Sequence, residues 1–94
     1  MSYKLTFKEE ALKEWNKLDG GIREQFKKKL KERLVSPVVE ASRLGGMKSC
    51  YKIKLRSSGF RLVYEVRDKE LVVSVVAVGK RERNAVYKAA VKRI

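Results

Sequence analysis

Apolar positions along the chain follow two different periods, and the changes of period predict where strands and helices lie. Residues 3–8 alternate apolar and polar, as in a strand with one buried face. From Ala11 to Leu18 the apolar residues recur at helical spacing, and Ile22 to Leu34 continues at four-residue steps. We expect Asp19-Gly20-Gly21 to form a tight turn between these two segments, which then make a helical hairpin.

The second half of the chain predicts three strands in succession. Ser36-Pro37 should end the second helix, because proline disfavours helical geometry in the residue before it, and residues 38–46 should form a loop. Turns are expected at Ser57-Ser58-Gly59 and Asp68-Lys69, and Gly79 should end the last strand. The strands themselves are predicted at Cys50–Arg56, Phe60–Arg67 and Leu71–Val78.

The order β-α-α-β-β-β-α predicts one α+β domain over residues 1–94. The strand over residues 71–78 is almost wholly apolar and β-branched, which favours a central position covered on both faces. We expect an antiparallel meander with the first strand at its edge, the helical hairpin on one face, and a C-terminal helix over Asn84–Ile94. The buried stripe of that helix is either Val86, Ala90 and Ile94, or Tyr87, Val91 and Ile94.

Charge is distributed unevenly along the chain. The net charge is +13, from 24 Lys and Arg against 11 Asp and Glu. Residues 41–94 hold 14 of the basic and 4 of the acidic residues, and no acid lies between Glu40 and Glu65. An ordinary solvated surface mixes the two signs. The one-sign segment therefore predicts a face that binds a polyanion such as nucleic acid, or an acidic protein.

The residues that the chain lacks exclude several kinds of site. Without histidine there is no usual ribonuclease acid–base pair, no Ser-His-Asp triad and no histidine metal site. Cys50 is the only cysteine, so no internal disulfide is possible and a reducing cytoplasm is expected. With no histidine as its base, Cys50 is expected to be a small buried hydrophobe rather than a nucleophile. No signal peptide, membrane span, metal cluster or cofactor is expected either.

Five residues are candidates for a phosphate-binding site on the sheet face opposite the helical hairpin. Lys52 and Lys54 are two apart on one strand, so both project from the same face, about 7 Å apart. Arg61 lies on the next strand, Arg81 follows the last strand, and Tyr87 lies on the final helix. Singly, each has an ordinary explanation: a solvated strand face, an ion pair, a charged helix start or core packing. Together, in the acid-poor half, they favour a phosphate site.

Other basic residues are candidates for contacts with nucleic acid. For those on the second helix, a solvated helix face is an equally good interpretation, and for Arg61 the alternative is an ion pair with Glu65. The candidates are Arg43, Lys48, Arg56, Lys27, Lys28, Lys29 and Lys31.

Motifs spread over nearly the whole chain carry a resemblance to a known family. They are Ala11-Leu12-Lys13-Glu14-Trp15, Arg23-Glu24-Gln25, Cys50-Tyr51-Lys52-Ile53-Lys54-Leu55-Arg56-Ser57-Ser58-Gly59, Arg61-Leu62-Val63-Tyr64, and Val78-Gly79-Lys80-Arg81-Glu82-Arg83 with Val86-Tyr87. In these motifs the chain resembles the bacterial RelE toxins of type II toxin–antitoxin modules. One departure is Gly45, where related toxins often carry a basic residue before the glycine at Gly46; Arg43 is a nearby substitute.

The resemblance implies a microbial-ribonuclease-like fold and metal-independent cleavage of mRNA in the ribosomal A site, which inhibits translation under stress. It implies Lys52, Lys54, Arg61, Arg81 and Tyr87 as the catalytic set. It also implies a RelB-like antitoxin as partner, and contact with operator DNA only through the toxin–antitoxin complex, as a co-repressor of the operon.

The chemistry expected of such a site is attack by a 2′-OH on the adjacent phosphate. Lys54 is the first candidate for the base and Tyr87 is the rival. Arg61 and Lys52 would hold the phosphate. Arg81 would stabilise or protonate the leaving 5′-oxygen. The main alternative function is a non-catalytic ribosome- or RNA-binding protein that inhibits translation. A DNA-binding regulator is disfavoured because the sequence shows no helix-turn-helix signal.

Overall fold

Seven helices and strands follow one another in the order that the hydrophobic pattern predicts. The structure is a computed structural model that describes residues 2–82 and 84–94, so Arg83 of the family motif lies outside the described residues. A short 3₁₀ turn at Glu40–Ser42 interrupts the loop after the second helix. The main elements are β1 (Lys4–Phe7), α1 (Glu9–Asn16), α2 (Gly20–Val35), β2 (Cys50–Leu55), β3 (Phe60–Arg67), β4 (Val72–Lys80) and α3 (Ala85–Arg93).

The four strands form one mixed sheet in the order β1-β4-β3-β2. The three later strands make the predicted antiparallel meander, and β1 joins its edge in parallel with β4, from Lys4 opposite Val72 to Phe7 opposite Val75. Every residue of Val73–Val78 is buried, which confirms that β4 is central and covered on both faces. The α+β prediction is therefore confirmed.

The two faces of the sheet carry separate apolar clusters. On one face the hairpin of α1 and α2 packs Trp15, Phe26 and Leu30 against inward residues of all four strands. On the other face α3 packs Val86 and Ala90 against a smaller set: Cys50, Val63, Val76 and Ala77. The smaller cluster leaves part of this second face uncovered, and it is there that Lys52 and Lys54 project.

The turn between α1 and α2 lies earlier than the glycines suggest. Asp19 is the N-cap of α2, and its carboxylate accepts a hydrogen bond of 3.1 Å from the backbone N–H of Gly21. The prediction that Asp19-Gly20-Gly21 forms the turn is wrong in its position, because both glycines belong to the first turn of α2. An Asp side chain satisfies an otherwise free N–H at a helix start, and that outweighs the weak helix propensity of glycine in the first turn.

Two further predictions, one on the end of β4 and one on the buried face of α3, are also wrong. Gly79 does not end β4: it pairs with Arg61 on β3, and the strand continues to Lys80. Glycine is suited to this position because a Cβ there would lie 3.2 Å from Cγ2 of Val86, so the lack of a side chain lets α3 approach the strand closely. Neither predicted stripe of α3 is right in full, since Val91 and Ile94 are exposed.

Tyr64 ties the end of α2 to the sheet. Its ring stacks on that of Tyr51 with 5.6 Å between centroids, and its hydroxyl is fully buried. The hydroxyl donates to the backbone oxygen of Pro37 at 2.7 Å and accepts from Nη1 of Arg33 at 2.8 Å. One phenol therefore satisfies polar groups on both sides of the predicted helix stop at Ser36-Pro37.

We expect Tyr64→Phe to lower the free energy of unfolding by about 1–3 kcal/mol, because it leaves a buried carbonyl and a half-buried guanidinium without their partner. Urea titration followed by circular dichroism measures this change. Tyr3→Phe is the matched control: its hydroxyl donates to the exposed carboxylate of Asp68, so the loss should stay within about 0.5 kcal/mol. Equal stability of the two variants would contradict the role assigned to Tyr64.

Candidate active site

Strand register brings three of the predicted residues together on the α3 face. Lys54 on β2 lies directly opposite Arg61 on β3, and Arg61 in turn lies opposite Gly79 on β4. Lys52, two residues before Lys54, projects from the same face and is half-buried, whereas Lys54 is exposed. Because Gly79 has no side chain, Val86 of α3 can approach the strand beside Arg61 closely.

Tyr87 reaches this group from α3. Its hydroxyl accepts a hydrogen bond of 3.1 Å from Nη1 of Arg61, and the guanidinium carbon of Arg61 lies 5.5 Å from the ring centroid. The ring also packs against the apolar cluster under α3. The Tyr87 ring therefore contributes to core packing, which was the alternative explanation of this residue. Its hydroxyl, however, faces the guanidinium of Arg61.

Arg81 completes the group from the end of β4. Its backbone N–H donates to the backbone oxygen of Gly59 at 2.7 Å, which fixes the end of β4 against the turn between β2 and β3. Gly59 has a positive φ of 77°, a conformation that glycine adopts without strain. A concavity of about 350 Å³ opens here, lined by Lys54, Leu55, Arg56, Gly59, Phe60, Arg61 and Arg81. Four of these described lining residues are cationic and none is acidic.

A second concavity of about 380 Å³ continues from the first around the edge of β2. Lys54 and Arg56 border both concavities, so the two form one continuous cationic strip. Arg33 also lines the second concavity, although the sequence did not predict it as a site residue. Its position one helical turn after Lys29 was the only indication in the sequence. Arg33 donates to the hydroxyl of Tyr64 and the backbone oxygen of Lys52, so it supports the strip from beneath. The lining residues are Lys29, Arg33, Ala41, Ser42, Lys52, Lys54 and Arg56.

The concentration of positive charge has a direct effect on Lys54. The charge of Lys52 lowers the pKa of the Lys54 amine below its usual range, and Arg61 adds to the effect. Desolvation and the more distant Arg56 and Arg81 act in the same direction. A neighbouring cation favours the neutral amine, which is the form that can accept a proton.

Of the remaining predicted RNA contacts, Lys29 borders the cationic strip and the others are dispersed over the surface. Lys28 and Lys29 line a shallow depression on α2, Lys31 is exposed on the same helix, and Lys48 is exposed in the loop before β2. Lys27 pairs with Glu24 at 3.3 Å. The structure places these side chains in solvent and does not bring them to Arg61 and Tyr87.

Arg43 lies on the other face of the sheet. It donates two hydrogen bonds of 2.9 Å to the carboxylate of Glu40, and its guanidinium carbon lies 5.2 Å from the ring centroid of Tyr51. Tyr51 belongs to the cluster under the helical hairpin. Arg43 is therefore not brought to Lys52 and Lys54, and its charge is offset by Glu40.

The ion-pair explanation of Arg61 is wrong. Glu65, its proposed partner, accepts instead from Nε of Arg67 at 3.1 Å. Arg61 faces Tyr87 and the open concavity, which leaves part of its guanidinium available to an anion.

Cys50 is fully buried beneath α3, as predicted. Burial, with a smaller contribution from the charge of Glu65, raises the pKa of its thiol to about 11. Such a thiol is protonated at neutral pH and a poor nucleophile. Over residues 2–82 and 84–94, His, Cys, Asp and Glu form no group of three that could hold a metal ion. No helix in that part of the chain is long and apolar enough to cross a membrane.

Comparison with known proteins gives a family match over most of the chain. Residues 5–85 match the family described as the ParE toxin of the type II toxin–antitoxin system parDE. The mRNA interferase toxin RelE of Escherichia coli strain K12 is 64% identical over 94 residues, which is 100% of this chain and 99% of that protein.

Solved structures agree with the fold. A mutant of E. coli RelE in the free state superposes with a TM-score of 0.92 at 62% identity, covering 100% of this chain and 99% of that one. The same toxin mutant in complex with a peptide of the antitoxin RelB gives a TM-score of 0.84 at 62% identity, with the same coverage.

Cys50 should be chemically inert in the folded protein. We expect Ellman's reagent at pH 8 to label less than about a tenth of the thiol in an hour, because burial keeps it protonated and inaccessible. In 6 M guanidinium chloride it should react within minutes. Rapid labelling of the native protein would contradict the buried, protonated state.

Proposed function

The chain belongs to the RelE family of type II toxin–antitoxin toxins, and on that premise we propose that it is an endoribonuclease that cleaves mRNA in the ribosomal A site and so inhibits translation. One observation carries the proposal. Strand register sets Lys54 opposite Arg61 at a concavity that Arg81 also lines, and α3 brings the Tyr87 hydroxyl to Arg61. These are residue types that bind phosphate, and they are held on the scaffold of a family that includes an mRNA interferase.

The proposed reaction is an internal transesterification of RNA. The 2′-oxygen attacks the adjacent phosphorus, the bond from phosphorus to the 5′-oxygen breaks, and the products are a 2′,3′-cyclic phosphate and a free 5′-OH. The proton of the 2′-OH passes to a base, and the leaving 5′-oxygen receives a proton. The phosphorane formed on the way carries more negative charge than the diester.

The cationic side chains suit the stabilisation of that extra charge. Arg61 and Lys52 would hold the non-bridging oxygens, and Arg81, which also lines the concavity, would stabilise the leaving 5′-oxygen. A well-placed donor of this kind contributes roughly 3–4 kcal/mol to the transition state. Tyr87, oriented by Arg61, would orient the 2′-OH or stack on a base.

Lys54 is the candidate base. Its pKa is lowered mainly by Lys52, so a larger fraction of the amine is neutral near physiological pH than in an isolated lysine. Tyr87 is the rival for this role. Its hydroxyl accepts a hydrogen bond from Arg61, which holds the hydroxyl beside the cationic group.

Dependence on the ribosome follows from the openness of the site. The catalytic residues lie on an exposed sheet face, where little of the protein can fix the conformation of a flexible RNA. A partner that holds the mRNA in a reactive geometry can supply several kcal/mol of the barrier. The cationic strip around β2, with Lys28, Lys29 and Lys31 on α2, would contact ribosomal RNA.

The second proposed partner is a RelB-like antitoxin. E. coli RelE, the relative described above, has been solved with a peptide of its antitoxin RelB. The net charge of +13 suits an acidic partner. We propose that the complex also represses its own operon, with operator DNA contacted through the antitoxin, and that the toxin acts in the cytoplasm, where ribosomes translate.

Cleavage of a defined mRNA, free and on programmed ribosomes, tests the proposal. We expect cuts within A-site codons only when ribosomes are present, with 2′,3′-cyclic phosphate at the upstream end, because the site alone does not orient the RNA. Primer extension maps the cuts, and enzymatic end analysis identifies the phosphate. Tight ribosome binding without cuts would instead support the non-catalytic inhibitor, and equal cutting of free RNA would contradict ribosome dependence.

In the same assay, Arg61→Ala and Lys54→Ala should each slow single-turnover cleavage by about 100-fold or more. Arg67→Ala is the control. It also removes one cation from β3, but the Arg67 side chain pairs with Glu65 and Glu70 and not with the site. Near-normal rates in both active-site variants would place the chemistry elsewhere.

The pH dependence identifies the base. If Lys54 accepts the proton, the rate rises with pH up to the pKa of Lys54. Lys52→Gln removes the charge that lowers this pKa most, so the pKa should rise and the rising limb should move to higher pH. Lys69→Gln, which removes one charge from the turn after β3, should leave the limb in place. If the rising limb of the pH–rate profile is unmoved in Lys52→Gln but disappears in Tyr87→Phe, then Tyr87 is the base.

A further inference from the structure

The edge of β4 has unpaired backbone beyond the point where β1 ends. The parallel pairing stops at Phe7 opposite Val75, while β4 continues to Lys80. A bulge on the other side leaves Val76 without a partner on β3, since Val63 pairs with Ala77 and Tyr64 with Val75. Buried backbone groups without hydrogen bonds are costly, so this edge requires partners from outside the sheet.

Two side chains from opposite sides of the sheet supply them. Glu14 of α1 accepts from the backbone N–H of Val78 at 3.1 Å, and Arg93 of α3 donates from Nη1 to the backbone oxygen of Val76 at 2.9 Å. The two side chains also bind each other, with Arg93 donating to both carboxylate oxygens of Glu14 at 2.8 and 3.0 Å. A carboxylate and a guanidinium thus hydrogen-bond to the backbone of β4 beyond the point where β1 ends.

This pair is more enclosed than the other ion pairs. The Arg93 side chain is 15% exposed and that of Glu14 is 33% exposed. In the ion pairs that other cations form among the described residues, the cationic side chain is 44–54% exposed. A salt bridge from Nε of Arg93 to Glu10 at 3.0 Å also connects Arg93 to α1.

The pair is the anchor for the last turn of α3. The buried apolar contacts of α3 with the sheet are made by Val86 and Ala90, and the half-buried Tyr87 and Ala89 add to them. None of these residues lies beyond Ala90. Towards the C-terminus, Val91 and Ile94 are 60% and 53% exposed, so they do not anchor the end of the helix to the sheet. Arg93 is therefore the residue that fixes the end of α3 against α1 and β4.

We propose that Glu14 and Arg93 are positioning residues for Tyr87, which hold α3 at the angle where the Tyr87 hydroxyl meets Arg61. The inference rests on the proposed function, since it gives Tyr87 its catalytic importance. Arg61 is fixed on the sheet, whereas Tyr87 moves with α3. The 3.1 Å bond between them is lost if the helix pivots by about 1 Å. A misplacement of that size can slow catalysis about 100-fold.

The first test is a double-mutant cycle in single-turnover cleavage on programmed ribosomes. Arg93→Ala should slow the rate constant about 10- to 100-fold, with the half-saturating concentration changed less than about twofold. In a Tyr87→Ala background the same substitution should cost less than about threefold, because the residue it positions is already gone. Equal costs in the two backgrounds would overturn the proposal. Arg67→Ala, which removes one cation from exposed pairs, should match the unsubstituted protein.

Charge reversal separates edge capping from a simple ion pair. Glu14→Arg combined with Arg93→Glu restores opposite charges, but an arginine cannot accept from the Val78 N–H and a carboxylate cannot donate to the Val76 oxygen. We expect no recovery over Arg93→Ala. Full recovery would mean that α3 is held by charge alone and would overturn the capping role.

Two measurements on the protein without RNA keep this test separate from the proposed function. In Arg93→Ala, amide exchange at Val78 and in α3 should accelerate at least tenfold, and the ring signals of Tyr87 in ¹³C-labelled protein should shift. If Arg93→Ala does not fold, Arg93→Lys should show both changes in weaker form. Unchanged exchange and signals would overturn the proposal, whereas failure of the unsubstituted protein to cleave any RNA would overturn only the proposed function.

Discussion

The antiparallel register between β2 and β3 is the constraint on which the site depends. It sets Lys54 opposite Arg61 and sends Tyr51, Ile53 and Leu55 to the hairpin face. A slip of one residue would exchange the two sets, burying lysines under α2 and exposing the core. The free energy gained by burying the apolar face therefore fixes the register, and with it which residues form the cationic face. The same packing that stabilises the fold also assembles the cations of the site, without any attraction between them.

Assembly by packing is necessary because the site residues repel one another. Lys52, Lys54, Arg61 and Arg81 carry the same charge, and no acidic side chain of the described residues lines either of the two concavities that they border. Held together by the sheet, they lower the pKa of Lys54 and form a strong positive potential. A polyanionic substrate relieves that repulsion on binding. The arrangement is thus destabilising for the free protein and favourable for the complex, which is the physical link between this fold and an RNA-cleaving function.

The helix α3 has a different status from the rest of the scaffold. The sheet residues of the site are fixed by continuous hydrogen bonding, whereas Tyr87 depends on how a nine-residue helix lies across the sheet. Gly79 permits the close approach of Val86 at one end, and Arg93 binds α1 and β4 at the other. One of the five predicted catalytic residues is therefore positioned by contacts distant from the chemistry.

The sequence by itself determined the elements, the α+β class and the cationic set, because these follow from hydrophobic period, turn residues and charge along the chain. It located β3 without error and separated Lys52 and Lys54 from the core by alternation. Only the tertiary structure decided that β1 runs parallel to β4, that Gly79 continues the strand, that Arg43 faces Glu40 and Tyr51, and that Arg33 supports the strip. Each of these depends on which groups meet across long sequence separations. Local patterns record whether a residue is buried, but not which partner satisfies its polar atoms.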